Sequence, residues 1–267
     1  MKFNNSLKIG VLPLDICFLN PEENFSKIEN ALELLEHGTD LLVLPELFST
    51  AFIADAGVAL EKAEPYDNDA DSTLGRMLAW ARKYNVAICG SYLKLDSERR
   101  PANHCVFVEP SGEFAVYDKH HLFGISRESE FYGAGESEPP VVRYRGWNIS
   151  MTVCYDLRFP AWCRNRGLRY DMLLIPANWP DSRSYAWSHL LIARAIENQA
   201  VVVGADRSGT DDYGCYDGLS EVYDFMGKPV GVLSDSGIIY ATLLKDKLEQ
   251  YRRRFPFYKD ADNYRFE

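Results

Sequence analysis

Two short runs of the chain are wholly apolar: Leu41-Leu42-Val43-Leu44 and Met172-Leu173-Leu174-Ile175. Runs of this length are too brief for a buried helix. A strand with one wet face would alternate apolar with polar residues. An unbroken run fits a strand covered on both faces, as in a sheet with another layer above and below. Between such runs lie segments with a helical repeat. Residues 21–37 place Phe25, Ile28, Ala31, Leu32 and Leu35 on one face, and Gly38 closes the pattern. Residues 72–84 and 184–199 read as helices too, the latter with Trp187, Leu190, Leu191, Arg194 and Ala195 at helical spacing.

Further strands are expected at 7–14, 86–93, 105–108, 114–117, 141–144, 147–153, 201–205, 219–223, 229–232 and 238–244. The turn Pro110-Ser111-Gly112 joins two of them as a hairpin, and Pro160 suits the first turn of another helix. Many strands and a few amphipathic helices imply sheets covered by helices, an α/β layered sandwich. No linker rich in Pro, Gly or Ser divides the sequence, so residues 1–267 read as one domain. From about residue 245 the chain becomes a charged, aromatic tail that either docks on a neighbouring surface or lies loose.

The net charge of −10, from 39 acidic against 29 basic residues, argues against a nucleic-acid or anionic-membrane partner. No apolar window is long enough for a membrane span. The first ten residues lack the regions of a signal peptide, so a cytoplasmic location is expected. The six cysteines are dispersed, with no C-x-x-C pair and no clustering with histidine. Neither a disulfide framework nor a zinc site is expected.

Three polar side chains follow strand-like runs: Glu46 after 41–45, Lys119 after 116–118, and Cys154 after 149–153. The carboxyl ends of strands are where α/β sheets gather ligand sites. Singly, each residue reads as the start of a solvated loop or as a packed thiol. Together they form a chemically complete set. A thiol attacks as thiolate, which a nearby ammonium favours. A carboxylate can take the thiol proton and return it to a leaving nitrogen. The ammonium can also stabilise an oxyanion. Histidines are available, but no G-x-S-x-G elbow accompanies them.

The segments Leu44-Pro45-Glu46-Leu47-Phe48, Tyr117-Asp118-Lys119-His120-His121-Leu122-Phe123 and Cys154-Tyr155-Asp156-Leu157-Arg158-Phe159-Pro160 resemble the three signature blocks of the nitrilase superfamily of carbon–nitrogen hydrolases, in the family's order. Pro176-Ala177-Asn178-Trp179-Pro180 and Ala193-Arg194-Ala195-Ile196-Glu197-Asn198 extend the likeness, which runs over about 7–243. The resemblance implies a four-layer αββα sandwich. It implies that Glu46 is the general base, Lys119 the oxyanion-stabilising lysine and Cys154 the nucleophile, with the backbone N–H of Tyr155 completing the oxyanion site. It also implies a second glutamate that positions the lysine and the substrate. Glu128 is the candidate and Glu130 the fallback. No metal or organic cofactor is required by this chemistry. Family members pair through helices, so a homodimer or higher homo-oligomer is implied, with the helix after Pro160 and that over 184–199 as contacts.

The word Cys-Tyr-Asp-x-Arg-Phe-Pro is typical of small amidases, and 178–183 with Trp187 is similar to the bacterial branch of omega-amidases. Those enzymes cleave the terminal amide of 2-oxoglutaramate or 2-oxosuccinamate. Gly124, Ser129 and Glu130 depart from that branch and leave the shape of the loop over the site open. A substrate that keeps a carboxylate needs a cation, and Arg158 and Arg183 stand in the right loops. Phe123 and Trp179 are candidates for pocket walls. The triad does not separate this reading from an N-carbamoyl hydrolase, a deaminated-glutathione amidase, an aliphatic amidase or an ammonia-supplying glutaminase subunit. A non-catalytic scaffold would be marked by a missing Glu, Lys or Cys, and all three are present.

Overall fold

Along residues 41–44 the side chains face two cores in turn. Leu41 and Val43 point into a layer shared with a second sheet, while Leu42 and Leu44 point at helices. Burying each such side chain contributes about 1.5–3 kcal/mol, so an unbroken apolar run is what this position selects. The computed structural model in which this is seen describes residues 6–65 and 72–266.

The strands in chain order are β1 (Ser6–Val11), β2 (Leu41–Val43), β3 (Ala87–Leu95), β4 (Pro101–Val108) and β5 (Phe114–Asp118). Then come β6 (Val141–Tyr144), β7 (Trp147–Met151), β8 (Met172–Ala177) and β9 (Val201–Asp206). A hairpin, β10 (Ser208–Asp211) and β11 (Gly214–Asp217), precedes β12 (Glu221–Tyr223), β13 (Val232–Leu233) and β14 (Ile239–Leu244). One seven-stranded sheet has the order β13-β14-β1-β2-β3-β4-β5, and a five-stranded sheet the order β12-β9-β8-β7-β6. The central neighbours β1-β2-β3 and β7-β8-β9 run parallel. Their carboxyl ends therefore open in one direction within each sheet.

Helices α1 (Pro21–Glu33) and α3 (Thr73–Tyr84) cover the outer face of the larger sheet, where Phe25, Ile28, Met77 and Trp80 meet Leu42 and Leu44. Asn20 caps α1 through Glu23 N–H and Ser72 caps α3 through Gly75 N–H. Helix α5 (Ser184–Asn198) packs on β9 of the smaller sheet, where Trp187 and Leu191 close on Gly204. The inner faces meet each other, with Cys105 Sγ 3.7 Å from Met151 Sδ. The layers follow as helix, sheet, sheet, helix: the αββα sandwich that the sequence implied. Two short helices, α2 (Ala56–Lys62) and α4 (Glu128–Phe131), sit in connections. No helix among the described residues is long and apolar enough to cross a membrane.

Several local expectations need correction. Helix α1 ends at Glu33, and Gly38 (φ +79) lies beyond it in a turn. Among the described residues no α-helix opens at Pro160, and only a single 3-10 turn, Arg166–Leu168, comes before the next strand. Residues 161–163 form a turn, and Gly167 and Leu168 both adopt positive φ. The Asn165 side chain bonds both the N–H and the C=O of Tyr170, which competes with helical pairing. Of the two helices expected to make a dimer contact, only α5 exists. Strand β4 starts at Pro101, four residues before the expected start at Cys105, and the 229–232 strand is reduced to Val232–Leu233. The tail begins as helix α6 (Lys245–Arg254), which docks through Leu248 and Arg252. Arg252 donates to Asp171 Oδ1 at 2.7 Å, to Tyr170 O at 2.8 Å and to Gln199 O at 2.9 Å.

Candidate active site

Glu46 leaves β2 on a segment that crosses closely over β3. A Cβ on Gly90 would stand 2.9 Å from both Leu44 and Phe48, so glycine is required for the crossing. Ser91 fixes the segment, its hydroxyl accepting from Leu47 N–H at 2.9 Å and its carbonyl from Phe48 N–H at 3.0 Å. Lys119 continues β5 by one residue, with its N–H donating to Asn103 O at 3.0 Å. Cys154 follows β7 and opens a tight turn, Cys154–Arg158, with φ +44. A non-glycine residue at positive φ is strained, and here the strain falls on the residue read as the nucleophile.

These three strand ends converge. Lys119 Nζ lies 3.0 Å from Glu46 Oε1 and 3.0 Å from Glu128 Oε1. Glu128, at the start of α4, also accepts from Phe123 N–H at 2.6 Å. Glu130 is exposed and pairs instead with Arg127 at 2.7 Å, so of the two candidate glutamates only Glu128 reaches the lysine. Two asparagines complete the cluster. Asn103 Nδ2 donates to Glu46 Oε1 at 2.6 Å, and Asn178 N–H donates to Glu46 Oε2 at 2.7 Å. Asn178 Nδ2 adds a bond to Glu46 O at 2.6 Å. The Glu46 carboxylate is thus fixed in orientation from three sides.

Electrostatics sets the resting protonation. Burial works against charge on Lys119, but the Glu128 and Glu46 carboxylates outweigh it and hold the amine well above its usual range. Burial raises the Glu128 carboxyl; Lys119 opposes this and Glu46 adds to it. Burial, then Glu46, push the Cys154 thiol well above its usual value, and Lys119 only partly counters them. The ammonium favours the thiolate, as its charge requires, but it does not outweigh burial and Glu46. Burial and Glu46 together exceed the pull of the ammonium, so the resting sulfur keeps its proton and a base must remove it during attack.

All four side chains line one cavity of about 220 Å³. Its floor carries Glu46, Lys119, Glu128 and Cys154, and Asn178 borders them. Tyr155, Phe123, Trp179, Arg158 and Arg183 line the cavity as well. The Arg158 guanidinium lies over the Trp179 ring (4.8 Å) and that of Arg183 over the Phe123 ring (5.1 Å). Neither has an ion-pair partner among the described residues, which leaves two unneutralised cations facing a small cavity. Phe52, Tyr213 and Tyr216 also line it and were not anticipated. Tyr213 and Tyr216 ride on the β10–β11 hairpin, and the Asp211-Asp212-Tyr213-Gly214 turn is the signal that would have found it.

The carbon–nitrogen hydrolase family model matches residues 8–253, nearly the whole chain. The chain belongs to the carbon–nitrogen hydrolase family. It is a hydrolase of carbon–nitrogen bonds, and its two-sheet fold is the family's. Omega-amidase YafV of Escherichia coli K12 is 39% identical over 262 residues, covering 97% of this chain and 98% of the relative. The 2-oxoglutaramate amidase of Bacillus subtilis 168 is 31% identical, covering 94% and 96%. Among solved structures, the family member XC1258 of Xanthomonas campestris, crystallised with an arsenic adduct in its active site, superposes with a TM-score of 0.90. It shares 35% identity and covers 98% of this chain and 99% of its own. An amidase from Nesterenkonia gives a TM-score of 0.80 at 26% identity, over 94% and 95% of the two chains.

Proposed function

We propose that this carbon–nitrogen hydrolase is an omega-amidase. It releases ammonia from the terminal amide of a 2-oxo dicarboxylic acid monoamide such as 2-oxoglutaramate or 2-oxosuccinamate. One observation carries the reading: two guanidiniums with no ion-pair partner among the described residues, Arg158 and Arg183, line the same cavity as Glu46, Lys119 and Cys154. The floor can cleave an amide, and the wall can bind the carboxylate that the substrate keeps. The activities named for the similar proteins of Escherichia coli and Bacillus subtilis agree with it.

In the proposed mechanism Glu46 takes the thiol proton of Cys154 as the sulfur attacks the amide carbon. Lys119 and the Tyr155 N–H hold the oxyanion. The first amides of a helical turn have no partner within it, which makes Tyr155 N–H a suitable donor. The tetrahedral intermediate collapses, the carbon–nitrogen bond breaks, and Glu46 delivers its proton to the departing nitrogen. Ammonia leaves a thioester on Cys154. Glu46 then takes a proton from water, the oxygen attacks the thioester carbon, and the carbon–sulfur bond breaks. The sulfur recovers its proton from Glu46. Glu128 keeps Lys119 charged and aimed.

The test is ammonia release from a panel of purified amides, with Cys154→Ala alongside. The expected result is a kcat/KM for 2-oxoglutaramate well above those for neutral aliphatic amides, and no turnover by Cys154→Ala. Equal rates across the panel would sink the substrate assignment, and a folded, active Cys154→Ala would sink the mechanism.

We further read the chain as one catalytic domain that pairs with a second copy through α5, on which Tyr185 is 79% exposed and Ile196 51% exposed. Light scattering after gel filtration checks the pairing. A reducing, cytoplasmic setting agrees with the free state of all six thiols.

A further inference from the structure

Asp156 stands two residues past Cys154 and is fully buried. Its Oδ2 accepts from Val153 N–H at 3.0 Å and from the Tyr117 hydroxyl at 2.7 Å. Its Oδ1 accepts from the backbone N–H of His121 at 2.9 Å and from the His121 ring Nδ1–H at 2.8 Å. Val153 immediately precedes the nucleophile. Tyr117 and His121 lie two residues to either side of Lys119. One carboxylate therefore bonds to the chain on both sides of the lysine, at the end of the larger sheet, and to the turn that carries the thiol, at the end of the smaller one.

The turn needs such a restraint. Cys154 has φ +44, and a non-glycine residue in that region persists only where its surroundings over-determine it. Asp156 brackets it twice: the side chain accepts from Val153 N–H, and the Asp156 N–H donates to Val153 O at 2.9 Å. The chemistry of the bracket is specific. All four side-chain bonds come from N–H or O–H donors, so both oxygens must accept. Asparagine has nearly the same shape, but it would turn an NH₂ group toward two donors at one of the two positions.

We propose that Asp156 is a positioning residue for amide hydrolysis, setting the place of Cys154 relative to Lys119 by bonding both chain segments through one carboxylate. The proposal rests on the roles assigned above to Cys154 and Lys119. A residue that only supports the fold would, when changed, lower the amount of folded enzyme and leave its turnover alone. Asp156 acts on turnover, because displacement of reacting groups by about 1 Å costs on the order of a hundredfold in rate.

The experiment measures kcat and KM for ammonia release from 2-oxoglutaramate, per folded molecule, in Asp156→Asn, His121→Ala, His121→Asn and Cys154→Ala. Asp156→Asn is expected to lose about a hundredfold in kcat with KM within about threefold of the parent. His121→Ala removes one of the four donors and is expected to lose about tenfold in kcat. His121→Asn offers a side-chain N–H near the position of Nδ1 and is expected to return to within about threefold of the parent. A folded Asp156→Asn with parental kcat overturns the proposal, as does equal kcat in His121→Ala and His121→Asn. Should Asp156→Asn fail to fold, the His121 pair decides. Activity in Cys154→Ala would instead overturn the nucleophile assignment, so the two failures are told apart.

Discussion

Glu128 embraces Lys119 with both carboxylate oxygens, at 3.0 and 3.1 Å from Nζ. It is the strongest favourable influence holding that amine in its charged form against the cost of burial. Glu128→Gln leaves Glu46 as the remaining carboxylate against Nζ, and burial then pulls the amine down. The high-pH limb of the kcat profile should move to lower pH, because Lys119 then loses its proton sooner. At neutral pH kcat should fall about tenfold to a hundredfold, the equivalent of one charge-assisted bond of roughly 1.5–3 kcal/mol. A kcat profile from neutral to alkaline pH checks both.

The resting thiol of Cys154 is pushed above the ordinary value of 9.0 by burial and by Glu46. Thiolate is the reactive form, so alkylation of the free enzyme by iodoacetamide should be slow at neutral pH. The rate should keep rising through pH 9 without levelling off. Peptide mass mapping of the alkylated site against pH checks this. A plateau near neutrality would mean that the ammonium of Lys119 outweighs burial and Glu46.

Arg183 and Arg158 both line the cavity and are read as holding the carboxylate that the substrate keeps. Arg183→Ala or Arg158→Ala should raise KM for 2-oxoglutaramate by about tenfold to a hundredfold, the loss expected for one bond between opposite charges. Rates on a neutral amide of the same length should change by less than about threefold. Lysine should restore little at either site, since both guanidiniums lie over aromatic rings and present a planar fork. Steady-state kinetics on the paired amides decides.

Far from this chemistry, Arg252 and Lys245 of α6 share the two oxygens of Asp171, each at 2.7 Å. Arg252→Met removes one cation and three bonds while keeping the aliphatic stem. Breaking a buried pair on one side costs about 3–5 kcal/mol, so the urea midpoint should fall clearly. The kcat of the protein that remains folded should not change. Denaturant titration and kinetics on the same preparation test the separation.

The reach of sequence reasoning follows from where each signal resides. Glu46, Lys119 and Cys154 stand next to apolar runs inside recognisable words, so both type and place were readable. The two-faced burial of Leu41–Val43 was readable for the same reason, since one short run must satisfy two cores. Asn103 and Asn178 were not assigned roles, because an amide in or after a strand carries no chemical signal of its own. Their significance arises only when β4 and β8 bring them to Glu46. The segment after Pro160 read as a helix because proline suits a first helical turn. A side-chain clasp between Asn165 and Tyr170 holds it otherwise. Helix α6 escaped notice because its buried face is little more than Leu248 and a charged residue, Arg252.

Glu46 and Lys119 issue from the larger sheet, Cys154 and Asn178 from the smaller one. The spacing between base and thiol is therefore the same quantity as the spacing between two slabs, read out at their rim. The contact of Cys105 with Met151 lies in the middle layer, between the two sheets. A change of side-chain volume at Cys105 or Met151 should therefore be felt at the rim as lost turnover. On gentle heating, hydrolysis should fade before circular dichroism records any melting.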